Sequence, residues 1–126
     1  MPYTISHIND PTHVEVTYSG VISPQELESA ALEIVALMTL KQTPRLLADC
    51  SGIAGGHSVF DLYALADWAM SHAPHIREAV IIPTLPLSSD NVKFWETTCL
   101  NRGLQVRVFN DRASAETWLY GVPEAG

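Results

Sequence analysis

Along residues 13 to 19, HVEVTYS, apolar and polar positions alternate: Val14, Val16 and Tyr18 share one parity, and His13, Glu15, Thr17 and Ser19 share the other. A two-residue period predicts a strand with one face on a core and the other face wet or lightly covered. Residues 3 to 8, YTISHI, are likewise rich in β-branched and aromatic side chains, and the turn formers Asn9, Asp10 and Pro11 separate the two segments. The chain therefore opens with a predicted hairpin.

The period changes at Ser23. Ser23, Pro24 and Glu26 supply an N-cap, a proline in the first turn and a capping-box acid, and Leu27, Ala30, Ala31, Ile34, Val35 and Met38 follow at helical spacing up to a stop before Pro44. Residues 45 to 49, RLLAD, read as a short buried strand. A second helix begins near Val59, with Leu62, Leu65, Ala66, Ala69 and Met70 on its apolar stripe, and Pro74 limits it. REAVII, residues 77 to 82, carries the continuous apolar run of a central parallel strand. A third helix is predicted from about Ser89 or Asp90, packing Val92, Trp95 and Cys99 inward and ending at Gly103. LQVRVF, residues 104 to 109, alternates again, and Asp111 opens a last helix carrying Ala115, Trp118 and Leu119 up to Gly121.

The predicted order is ββαβαβαβα in a single α/β domain covering residues 1 to 126: a mixed, mostly parallel five-stranded sheet with helices mainly on one face. Crossovers between neighbouring parallel strands are almost always right-handed, so an unreversed series stacks its helices on one side. The polar parity of the second strand, together with Gln105 and Arg107 on the last, marks the opposite side as partly open, and a homodimer formed through that face is the expected self-association.

Charge and cysteine usage narrow the role. The net charge is −7 and the seven basic residues are scattered, which argues against a nucleic-acid partner, since a phosphate backbone needs a concentrated cationic face. Cys50 and Cys99 lie in apolar segments and read as reduced, buried thiols. The opening MPYTISHINDP has neither the basic nor the apolar region of a signal peptide, and no run approaches a membrane span, so the expected compartment is the cytoplasm.

The stretch DCSGIAGGHSVFD, residues 49 to 61, carries the most information. Ser58 and Asp61 form an S-x-x-D helix start, in which the hydroxyl accepts from a first-turn amide and the acid faces the positive end of the helix dipole. Capping is the first reading of Ser58. The same oxygen, if phosphorylated, would carry about −1.5 to −2 charges beside unpaired amides and repel an acidic partner, so a cap and a switch can share one residue. As a nucleophile Ser58 has little support: GGHSVF lacks the second glycine of a G-x-S-x-G elbow, and the adjacent His57 is poorly placed as its base.

Laid on a D-L-S-G-V-x-F-x-D-S-S-G-L pattern, Asp49, Cys50, Ser51, Gly52 and Ile53 match the start, and Ser58 falls on the modified serine. In this and in its element order the chain resembles the STAS group, the SpoIIAA-like anti-anti-sigma factors. The closing VFNDRASAETWL, residues 108 to 119, is similar to the last strand and helix of SpoIIAA-like proteins of unassigned role. The resemblance implies a non-enzymatic regulatory module that binds another protein, with a phosphorylation switch at Ser58. The chain departs from the pattern where His57 replaces the acid, where Val59 and Phe60 replace the second serine and the glycine, and where Gly55 and Gly56 stand in place of larger residues.

Further candidates are weaker. His72 and His75 form an H-x-x-H broken by Pro74; they read as surface histidines at a helix end, and no metal or other cofactor is expected. The loop PTLPLSSD, residues 83 to 90, brings Leu85 and Leu87 to the carboxyl edge of the sheet beside Ile53, Gly55 and Gly56. Open α/β sheets bind ligands at that edge. The predicted contact surface is therefore Ile53, Gly55, Gly56, His57, Phe60, Leu85 and Leu87, facing either a protein partner or, in the alternative, a small apolar, lipid-like molecule held by a carrier or sensor. No phosphate-cradling glycine motif, paired metal signature or triad speaks for an enzyme.

Overall fold

The structure, a computed structural model, describes residues 2–9, 12–83 and 86–121, with the side chains of residues 86–88 outside that description. In chain order the elements are β1 (Tyr3–Asn9), β2 (Thr12–Gly20), α1 (Pro24–Lys41), β3 (Arg45–Ile53), α2 (Val59–His72), β4 (Arg77–Ile81), α3 (Pro86–Asn101), β5 (Gln105–Phe109) and α4 (Arg112–Leu119). This is the order expected from the sequence. Asp10 and Pro11, the expected turn, lie outside the described residues.

The strands stand side by side in sequence order. β1 runs antiparallel to β2, with Ile5 opposite Val16, and every later neighbour pair is parallel. Side chains alternate across β3 and β4, so each strand feeds two cores. Leu46, Ala48 and Val80 join Val14, Val16 and Val106 under α1, α2 and α3, whereas Leu47, Ala79 and Ile81 face Ala115 and Leu119 of α4 on the opposite side. Three helices thus share one face of the sheet, and α4 crosses to the other. The handedness rule does not bind α4, because no parallel strand follows it.

Two details correct the sequence reading. His13, expected on a wet face, is only 3% exposed, because Tyr120 at the end of α4 closes over it. Met70, placed on the inward stripe of α2, is 41% exposed, and the buried positions of that helix are Leu62 and Ala66. Gln105 and Arg107 of β5 are exposed as expected.

Caps set the helix starts where the sequence placed them, except for α3, which begins at Pro86, earlier than Ser89. At α1, Ser23 Oγ accepts from the Glu26 amide at 3.1 Å and Glu26 Oε1 accepts from the Ser23 amide at 2.8 Å. α1 ends on Gln42 in the left-handed conformation (φ 54°), two residues before Pro44. At α4, Asp111 Oδ1 accepts from the Ser114 amide at 2.8 Å.

β3 is nine residues long and β4 five. β4 pairs with β3 only as far as Asp49, so the end of β3, with Gly52 and Ile53, pairs with β2 alone and carries the chain past the rest of the sheet. That overrun delivers the segment leading into α2. Among the described residues no helix is long and apolar enough to cross a membrane.

Candidate functional site

The overrun ends in a tip fixed by backbone bonds. Gly20 O accepts from the Ala54 amide and Gly55 O accepts from the Ile22 amide, each at 2.8 Å. Gly55 and Gly56 both adopt positive φ, 100° and 107°. At Gly56 a β-carbon would lie 2.5 Å from Ile22 O, so this close approach of two backbones admits only glycine. His57 Nδ1 faces the same carbonyl at a long 3.4 Å.

Ser58 follows in extended conformation as the N-cap of α2. Asp61 Oδ2 accepts from the Ser58 amide at 2.7 Å and from the Ser58 hydroxyl at 2.9 Å, while Ser58 Oγ lies 3.3 Å from the Asp61 amide. These hydrogen bonds, the one from the Ser58 amide foremost, hold the Asp61 carboxyl below the usual carboxylate range. The hydroxyl engages Asp61 and not His57, whose ring turns to Ile22, so the geometry of a serine activated by a neighbouring base is not present at this tip. Beside this polar cap stands an apolar side chain in water: Phe60 is 82% exposed, with Val59 and, across the loop, Val21 also exposed. Ile53, in contrast, is buried. Leu85 and the side chain of Leu87 lie outside the described residues.

The histidine pair stays apart from this tip. His72 stacks on Trp68, its Nδ1 2.8 Å from Trp68 O, and both His72 and His75 are exposed at the far end of α2.

A second feature lies inside. Between the sheet and α1, α2 and α3 is a cavity of about 100 Å³ whose walls are almost wholly apolar, among them Leu27, Ile34, Leu62, Ala69 and Val80. Ile53 and His57 also line it, so the space runs beneath the helices toward the carboxyl edge of the sheet.

Glu78 of β4 stands in the cavity wall. It has the same parity as Val80 and so points beneath the helices, and it is 8% exposed. Oε1 accepts from Trp95 Nε1 of α3 at 2.8 Å. Burial pushes the carboxyl up to about 7, against the opposing pull of the Trp95 hydrogen bond. Tyr18, Cys50 and Cys99 line the same space, and burial raises all three above their ordinary values, so they are neutral at physiological pH. The sequence reading absorbed Glu78 into the apolar run REAVII. Its parity with Val80 was the signal that set it apart.

No protein-family model matches the chain, and no curated protein matches it. Among solved structures it is similar to an uncharacterized protein of the DUF3478 family from Shewanella loihica PV-4, described as having a SpoIIAA-like fold. The two share 17% identity and a TM-score of 0.62, over 93% of this chain and 91% of the other. The fold of this chain is accordingly SpoIIAA-like.

Proposed function

We propose that the chain is a non-enzymatic binding module that engages a protein partner through the tip formed by residues 53 to 60 and the first turn of α2. The observation that carries this reading is Phe60, 82% exposed directly beside the Ser58 cap. An aromatic ring of roughly 150–250 Å² left in water supplies on the order of several kcal/mol when a partner covers it. Rings of this kind, set on rigid supports, are what binding hot spots are made of. The support here is rigid because the Gly56–Ile22 contact and the capping box fix the backbone on either side of His57.

Phosphorylation of Ser58 would modulate the contact. The hydroxyl is exposed, and a phosphate there meets two opposed effects: the amides at the start of α2 favour it, and the Asp61 carboxylate, hydrogen-bonded to the same oxygen, repels it. Modification would therefore displace Asp61 and reshape the surface beside Phe60. Cys50 and Cys99, both buried and unbridged, support a reducing, cytoplasmic setting.

Photocrosslinking in the source cells tests the reading. A photoreactive phenylalanine analogue at position 60 is expected to give a discrete heterologous adduct that Ser58→Asp weakens, while the same analogue at Leu40, 73% exposed on the far end of α1, gives none. Identical adducts from both positions, or none from position 60, would refute it.

A second reading, a carrier or sensor of a small apolar molecule, is favoured by the cavity under the helices, because native interiors contain few voids larger than a water molecule.

A further inference from the structure

We propose that the groove between α4 and the edge strand β5 binds a small monocarboxylate bearing an aromatic ring, with its carboxylate paired to Arg107 and its ring laid against Phe109 and Trp118. The site lies on the opposite face of the sheet from α2, and it is independent of both readings above.

Topology makes the groove. α4 is eight residues long and packs on Leu47, Ala79 and Ile81 of β3 and β4, so the same face of β5 is left as a shelf at the rim of the sheet. Arg107 and Phe109 stand on that shelf, opposite Ala79 and Ile81 in register, and Ser114, Thr117 and Trp118 of α4 form the wall. The space between them measures about 440 Å³, nearly three times the roughly 150 Å³ cavity that takes up benzene. A ring with a short acidic arm fits.

Charge sets the sign of the ligand. In a chain of net charge −7, two arginines and, among the described residues, no acid line this groove. The acids closest to it in sequence are engaged elsewhere: Asp111 accepts from the amide and hydroxyl of Ser114, and Glu116 pairs with Arg112. Arg77 is engaged as well, since its Nε and Nη2 donate to Leu119 O and Trp118 O and its Nη1 donates to Gln105 Oε1. Its guanidinium carbon lies 3.8 Å from the centroid of the Trp118 ring, so it steadies the wall. Arg107 is different. It is exposed and, alone among the described arginines, has neither a hydrogen-bond partner nor a ring beneath it.

The remaining groups select among anions. Ser114 and Thr117 donate their hydroxyl protons to Asp111 and to Ala113 O, so they add no donor for a ligand. One guanidinium then carries the recognition, and it matches a carboxylate, whose two coplanar oxygens take a parallel pair of N–H bonds and whose single charge it balances. A phosphate dianion would be left half-neutralised in the field of an acidic chain. Phe109 and Trp118, with ring centroids 5.7 Å apart and planes tilted by 48°, are both only partly buried and offer ring surface on the same groove. A third ring extends such a pair in offset or edge-to-face contact.

The experiment titrates the 15N-labelled protein with phenylacetate and, separately, with phenylacetamide, which keeps the ring and loses the charge, and with acetate, which keeps the charge and loses the ring. Phenylacetate is expected to shift the Trp118 indole Nε1–H and the Ser114 and Thr117 amides, and to bind about fivefold more tightly than the amide, the worth of one exposed ion pair. Acetate should bind more weakly than phenylacetate at the same residues. Arg107→Gln, a change at an exposed position, should remove the preference for acid over amide, and added salt should narrow it in the wild-type protein. Acid and amide binding the wild-type protein equally, acetate matching phenylacetate, or a preference that survives Arg107→Gln overturns the inference. So does the absence of shifts up to the solubility of the ligands, or their appearance at residues away from the groove. Shifts of the same residues when the free protein is concentrated would assign the groove to a second copy of the chain and overturn it too.

Discussion

Trp95 of α3 and Glu78 of β4 are joined across the helix–sheet interface by a 2.8 Å bond from the indole Nε1–H to Oε1. It is a side-chain tie between a surface helix and the middle of the sheet, and one end of it is a carboxyl held near 7.

That carboxyl makes stability depend on pH. Its ordinary value is 4.5 and its folded value about 7, so between these limits the folded chain holds a proton that the unfolded chain has released. Stability is therefore greatest below 4.5 as far as this group is concerned, falls as pH rises through the window, and levels off above 7, a loss on the order of 3 kcal/mol. Urea denaturation from pH 5 to 8 should show the decline in the wild-type protein and a flatter profile in Glu78→Gln. Identical profiles would contradict the assignment.

Gly55 and Gly56 have similar φ but different surroundings, which makes them a matched pair. Gly55→Ala meets open space and incurs only the left-handed penalty, about 1–2 kcal/mol. Gly56→Ala also drives a β-carbon into Ile22 O and should cost clearly more, with loss of the Ile22 amide protection in hydrogen exchange. Equal destabilisation of the two variants would mean that the tip is not held as described.

Ser58→Ala removes the α2 cap and should destabilise the chain by about 0.5–2 kcal/mol in urea titrations. Ser58→Asn, which also caps, should recover most of that loss. If both variants melt like the wild type, Ser58 has no structural share in the helix start.

Tyr120→Phe leaves Nδ1 of the buried His13 without its hydroxyl partner and should cost about 1–3 kcal/mol, an effect large for a residue at the end of the last helix. A cost under about half a kcal/mol would show that the Tyr120 hydroxyl contributes little to the docking of α4.

The element order was readable because its punctuation is local. Ser23 with Glu26, Ser58 with Asp61, Asp111, Pro44, Pro74 and Gly103 each act through bonds or backbone limits within a few residues, and the structure forms the three caps as hydrogen bonds. What escaped depends on contacts distant in sequence. His13 is buried by Tyr120, 107 positions away, so no pattern around residue 13 announces it. The side on which α4 docks is likewise a tertiary choice. The overrun of β3 was hidden because Ser51 and Gly52 have turn-like composition, yet Gly52 and Ile53 pair with β2 beyond a register shift. Of the expected contact surface, the cap at Ser58 and the glycines beside it were legible, while the cavity was not, since a void is a property of how three helices sit over a sheet.

Because the far end of β3 is laced to β2 alone, the sheet passes a load on the tip into the N-terminal hairpin and not into β4. The strain path runs from Ala54 through Gly20 to Ser19, whose amide is tied to Pro2 O at 2.8 Å. The opening residues of the chain thus brace, from the hairpin side, a loop whose other end is clamped by the start of α2.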